Sequence, residues 1–202
     1  MTSRKWIRFF FSTLCLGGVS TIITGFLLRW NTYMHMFYNL QAKEILTVML
    51  GLLGIGFIFS VMSQMGFFAY LTIHRFGILM FRSPLLWNGV QVIFIVFFLF
   101  DFVYLRSFVY TSSILTNILL ALVLFSIAIL TALIKSKETK RQAFIPAVFF
   151  MVVVTIVEWT PALRINNLDW IYMMLVPLLL CNAYQMLQLH RIVSKEKVMY
   201  KG

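Results

Sequence analysis

Carboxylates are scarce in this chain: six Asp and Glu stand against 17 Lys and Arg in 202 residues. So few acids rarely assemble the pairs and triads that metal hydrolysis or general acid–base catalysis needs. The two cysteines, Cys15 and Cys181, lie in apolar runs, where a thiol behaves as a small hydrophobe; no disulfide framework follows from them. Four prolines and a charged fraction of 11% leave little loop sequence. No HExxH, glycine-rich nucleotide loop or paired aspartate occurs, and no serine has a His and a carboxylate on an evident common face. Tyr33-Met34-His35-Met36 offers thioether and imidazole donors suited to copper(I), but no further cluster joins them on that side, and an aromatic, sulfur-rich interfacial belt is the simpler reading. The sequence thus predicts no enzyme, no cofactor and no metal centre.

What the chain has in abundance is apolar surface: 61% of its residues are hydrophobic and its mean hydropathy is +0.92. Six apolar runs, Phe9–Leu28, Ile45–Ile73, Leu85–Leu105, Ser113–Ile134, Ala143–Thr160 and Trp170–Leu189, are each of membrane-spanning length. The expected fold is an all-α polytopic membrane helix bundle of about six transmembrane helices, a single integral membrane domain over residues 1–202. The net charge of +11 does not point to nucleic acid, because the basic residues alternate with the spans. Thirteen of them, from Arg4, Lys5 and Arg8 through Arg75 and Arg82 and the run Lys135–Arg141 to Arg191, Lys195, Lys197 and Lys201, fall on one side; Arg29, Lys43, Arg106 and Arg164 are left for the other. By the positive-inside rule both termini are cytoplasmic, in the cell membrane, and the basic flanks face anionic lipid headgroups.

The second run carries the most specific pattern. At 100° per residue Gly56, Ser60, Ser63, Gln64, Tyr70 and His74 share about a third of the helix circumference, so one face is small and polar. Such a face packs against other helices in hydrocarbon, where a lone amide needs a partner. His74 and Arg75 end the run as an interfacial stop, and a rotation that re-pairs Gln64 would re-aim His74. In the third run Trp87 reads as an interfacial anchor, with Asn88 and Gln91 on one face and Asp101 about a turn from the outer end. Glu158-Trp159-Thr160-Pro161 reads as an outer stop, and Asn182 and Gln185 sit on neighbouring rows after Pro177, whose missing N–H favours a kink. Glu44, Asp101, Glu158 and Asp169 all gather near the outer boundary, which suggests an ion-pair collar with Arg29, Lys43 or Arg106 rather than a proton relay. The candidate packing or partner-coupling residues are therefore Gln64, His74, Arg75, Asn88, Gln91, Asp101, Asn182 and Gln185.

The segments RKWIRFFFSTLCLGGVSTIITGF, GFIFSVMSQMGFFAYLTIHRFG, LWNGVQVIFIVFFLFDFVYLR and PLLLCNAYQMLQLHRI resemble the KinB-signalling pathway activation proteins, the KbaA family of endospore-forming bacteria. The resemblance implies a small multispanning protein needed for full activity of a membrane sensor histidine kinase that feeds the sporulation phosphorelay: a positive regulator with no catalytic residues to carry over. The competing reading is a small transporter or channel, in which Gln64, Asn88, Gln91, Asp101, Asn182 and Gln185 would line one continuous path. An intramembrane lipid enzyme using His74 or His190 is the weakest of the three. Convergence of the amides on a single crossing cavity would favour transport, and separate interhelical hydrogen bonds would favour regulation.

Overall fold

The computed structural model describes residues 3–39, 41–109, 113–163 and 167–199, and every regular element among them is helical. Long helices run over Ser3–Leu28 (α1), Ala42–Phe81 (α3), Pro84–Val109 (α4), Ile114–Glu138 (α5) and Leu168–Met199 (α8), with a short helix Trp30–Tyr38 (α2) after the first. Between α5 and α8 lies one composite rod: a 3-10 turn Arg141–Ala143, α6 (Phe144–Phe149), a π-helical segment Phe150–Val154, and α7 (Thr155–Leu163). Six of these units are long and apolar enough to cross a membrane, and they coincide with the six runs expected from the sequence. At 40 residues, α3 is about 60 Å long by helical rise, roughly twice the ~30 Å of a hydrocarbon core. It ends where Arg82 takes a left-handed conformation (φ 51°) and caps Ile78 O; Pro84, which has no N–H to lose, then opens α4.

The composite rod is the middle of the bundle. Pro146 to Val153 are all buried, and the rod touches α3, α4, α5 and α8, whereas outward-facing residues elsewhere are large and apolar, such as Phe108, Leu85, Leu27 and Ile93. Pro146 stands in the first turn of α6, where its missing N–H costs nothing. The π segment was not apparent from the sequence. It widens the helical turn, and beyond it burial settles into a single face of Thr155, Ile156, Glu158, Trp159 and Ala162. Trp159 is fully buried, stacked on Phe102 of α4 at 5.3 Å, and donates to Ile171 O of α8.

A second group forms where α1 packs on α3 and α8. The stripe Gly17, Thr21, Gly25 allows close approach: Gly17 meets Gly56 of α3 backbone to backbone, and a Cβ on Gly56 would lie 2.7 Å from both Gly17 O and Gly18 Cα. Neither contact can be relieved by turning a side chain. Gly56→Ala is therefore expected to destabilise the detergent-solubilised protein by about 1–3 kcal/mol, the usual cost of overpacking. Gly54→Ala, whose Cβ would meet nothing within 4 Å, should leave it unchanged or slightly more stable. Circular dichroism during thermal unfolding measures both, and equal melting of the two variants would contradict this account of the α1–α3 contact.

Candidate functional site: buried polar clusters and an end cavity

The small polar face of α3 turns inward. Ser60, Ser63 and Gln64 are at most 3% exposed, and each finds partners on another helix. Ser60 donates to Thr13 O of α1 at 2.9 Å, and Gln64 Nε2 lies 3.3 Å from Ser60 Oγ and 3.5 Å from Phe10 O. Ser63 donates to Asn182 Oδ1 of α8 at 2.7 Å and accepts from Gln185 Nε2 at 2.6 Å. Asn182 Nδ2 then donates to Thr155 Oγ1 (2.9 Å) and Glu158 Oε2 (2.8 Å) of α7. One amide thus holds three helices together, using both ends of its dipole.

Glu158 departs from the sequence reading. It was expected as an outer interfacial stop in an ion-pair collar; instead its side chain is 8% exposed and bound to an amide. Asn182 stands 14 residues into α8, about 20 Å by helical rise, so the carboxyl is directed back into the bundle. Gly66 of α3 makes the room, since a side chain there would overlap Glu158 Oε1. Of the collar, Arg29 pairs with Asp169 at 3.4 Å. Asp101 is half-buried on α4 and joins no ion pair among the described residues. Arg106, offered as its neutraliser, is buried and donates through Nε to Asn117 Oδ1 of α5 at 2.8 Å, with its guanidinium over Tyr172.

A separate cluster forms seven to eleven residues further along α3. Trp87, expected at the interface, is only 6% exposed, and its indole lies flat on Gly77. Its Nε1–H donates to His74 Nδ1 at 3.0 Å, with Gln91 Nε2 3.4 Å from the same nitrogen. Because indole only donates, Nδ1 accepts, and the neutral ring carries its proton on Nε2. His74 stacks on Tyr70 at 5.6 Å, and Tyr70 donates to Pro146 O of α6 at 3.0 Å. His74 is thus held between α3 and α4, not projected into water. Arg75 is exposed, as is Arg82, and Asn88 is half-buried. His190, the other histidine of the lipid-enzyme reading, lies among the side chains outside those described.

His74 and Asn88 line a cavity of about 610 Å³ at this end of the bundle, bounded also by Trp87 and Lys135. Lys135 also departs from the sequence reading. It counts there among the basic flanks that face headgroups, yet α5 continues through it to Glu138, and it is 6% exposed with Nζ donating to Met186 O at 2.6 Å. The signal was present in the spacing: Ala121, Leu124, Ala128 and Ala132 mark the buried face, and Lys135 falls next on it.

Against this geometry, the model of a family described as KinB-signalling pathway activation in sporulation matches residues 17–192. The chain belongs to the KbaA family. A curated KbaA relative, the KinB-signaling pathway activation protein of Bacillus subtilis (strain 168), is 43% identical over 198 residues, covering 96% of this chain and 100% of that protein. No solved structure matches. The family match spans the Asn182 and His74 clusters and the Gly17–Gly56 contact; Thr13 and Phe10, the α1 acceptors of Ser60 and Gln64, lie just ahead of it.

Asn182 is the junction most exposed to test. Asn182→Leu keeps approximate volume but takes the α8 amide from Thr155 and Glu158 and the acceptor from the Ser63 hydroxyl, and should cost about 2–3 kcal/mol of stability. Glu158→Gln retains an acceptor for Asn182 and should cost less than about 1 kcal/mol. Thermal unfolding in detergent checks both; an Asn182→Leu variant as stable as wild type would contradict the junction.

Proposed function

We propose that this protein is a multi-pass cell-membrane protein, both termini cytoplasmic, that positively regulates a membrane sensor histidine kinase feeding the sporulation phosphorelay, and that it acts through protein contacts. The family membership supports the pathway. The observation that carries the mode of action is the division of the polar residues into separate interhelical clusters. Asn182 and Gln185 pair with Ser63 and Glu158, Gln64 reaches Phe10 O of α1, and Gln91 and His74 pair near Trp87. A transport path would need these groups to face one opening, whereas the cavity touches only His74 and Asn88 of the candidate residues. The six long apolar helices and their large outward-facing side chains support the membrane setting, and thirteen basic residues on one side support the orientation.

The exposed end of α3 is the part of the candidate set available to a partner. Arg75 stands there beside the exposed Phe76, Leu79 and Met80, and a guanidinium offers bidentate contact to a carboxylate on a partner helix. Headgroup anchoring alone would need only a positive charge. In a strain whose sporulation depends on the kinase, deletion of this protein should lower phosphorelay output with kinase abundance unchanged; an equal fall in kinase protein would assign an assembly role instead. Arg75→Ala and Arg75→Lys, each checked for membrane level, should both lower output, by about tenfold where one bidentate contact of ~1.4 kcal/mol is lost. Full output from both would contradict coupling through Arg75, and output kept by Lys alone would reduce its role to anchoring.

A further inference from the structure

The geometry points to the end cavity as a specific site for the phosphate headgroup of an anionic phospholipid, taken from the leaflet that faces the basic side of the protein. This rests on the membrane setting and orientation proposed above. Three features carry it. The cavity, about 610 Å³, is of the size that takes a headgroup with the start of its chains, and its walls are mostly apolar, with Leu71, Trp87, Met186 and Leu189 among them. Its polar groups are chiefly donors. Lys135 is buried, spends one of its three N–H bonds on Met186 O, and feels the charge of Glu138 one turn on along the same helix. His74 has Nδ1 occupied by the Trp87 indole, which leaves Nε2–H as a donor. Glu138 stands on the same wall and offsets one of the two lysines, Lys135 and Lys140, so the cavity has a surplus of positive charge before the donors of Asn88 and Gln142 are added.

The position fits the same occupant. The cavity opens where α3, α4, α5 and α8 reach the end that carries Arg75, Arg82 and the basic run after Lys135, where headgroups of the facing leaflet would lie. A free phosphate would satisfy the lysines but leave the apolar walls without a partner. A phospholipid satisfies both.

The test is native mass spectrometry of the full chain released into neutral detergent from phosphatidylcholine nanodiscs that hold phosphatidylglycerol as a minor lipid. Resistance of the protein to carbonate extraction, and its kinase-dependent output, are measured in parallel. Wild type should retain one phosphatidylglycerol per chain with about tenfold preference over phosphatidylcholine. Lys135→Met should lose that preference, and so should Ala143→Trp, which fills the cavity while keeping every charge. Lys137→Met, exposed on the same helix, should keep it. Circular dichroism confirms that each variant is folded, and Ala143→Trp decides the matter should Lys135→Met fail to fold. Retention unchanged in both cavity variants would overturn the proposal, as would displacement of the lipid by inorganic phosphate, which would assign the site to a soluble anion. Loss of lipid preference with kinase-dependent output intact would leave the lipid site standing and separate it from the regulatory reading; a protein extracted by carbonate would remove the membrane setting and the lipid with it.

Discussion

The hydrogen bonds of Asn182 are the interaction on which the rest of the arrangement depends. In a bundle whose outer surface is as apolar as its core, burial of Leu and Phe does not choose one helix packing over another. Directional bonds and close backbone contacts make that choice. Asn182 ties α8 to Ser63 of α3 on one side and to Thr155 and Glu158 of α7 on the other, which fixes the composite rod against the α1–α3–α8 group. The Gly17–Gly56 contact fixes α1, and Trp159 stacked on Phe102 brings in α4. Remove the amide, and Thr155 and Glu158 lose their bond to α8 while Ser63 keeps only the one it accepts from Gln185.

Much of this was legible in the sequence because its cause is periodic. The six spans follow from length and hydropathy, and the inward face of α3 follows from Ser60, Ser63 and Gln64 recurring at helical spacing. Partners were not legible, since they come from other helices: nothing local to Asn182 shows that Glu158, 24 residues earlier, will turn inward to meet it. Glu158 and Lys135 were misplaced for one reason. A charged residue near the end of an apolar run reads as a boundary, yet a long side chain can reach back several ångströms to a buried partner, as these do to Asn182 and to Met186 O. The π segment escaped because Phe150–Val154 has the same apolar composition as its neighbours; only the change in hydrogen-bond register distinguishes it.

On the proposed reading, these placements bear on how the protein regulates a kinase through contacts. The clusters at Asn182 and at His74 both engage α3 and the composite rod, the first through Ser63 and the second through Tyr70 and Pro146. A shift of the rod would therefore be felt along α3 as far as the exposed Arg75. That is a mechanical link through packed side chains, and on the proposed reading it joins the interior of the bundle to the surface a kinase would meet.

Photo-crosslinking in sporulating cells tests the central claim most directly, with the reactive residue placed singly at outward positions such as Phe76, Ile93 and Phe97 and, as an inward control, at Phe150. The account predicts adducts between this protein and the membrane sensor kinase from a contiguous set of outward positions and none from Phe150. Absence of a kinase adduct at every outward position, in cells whose sporulation still depends on the protein, would contradict it.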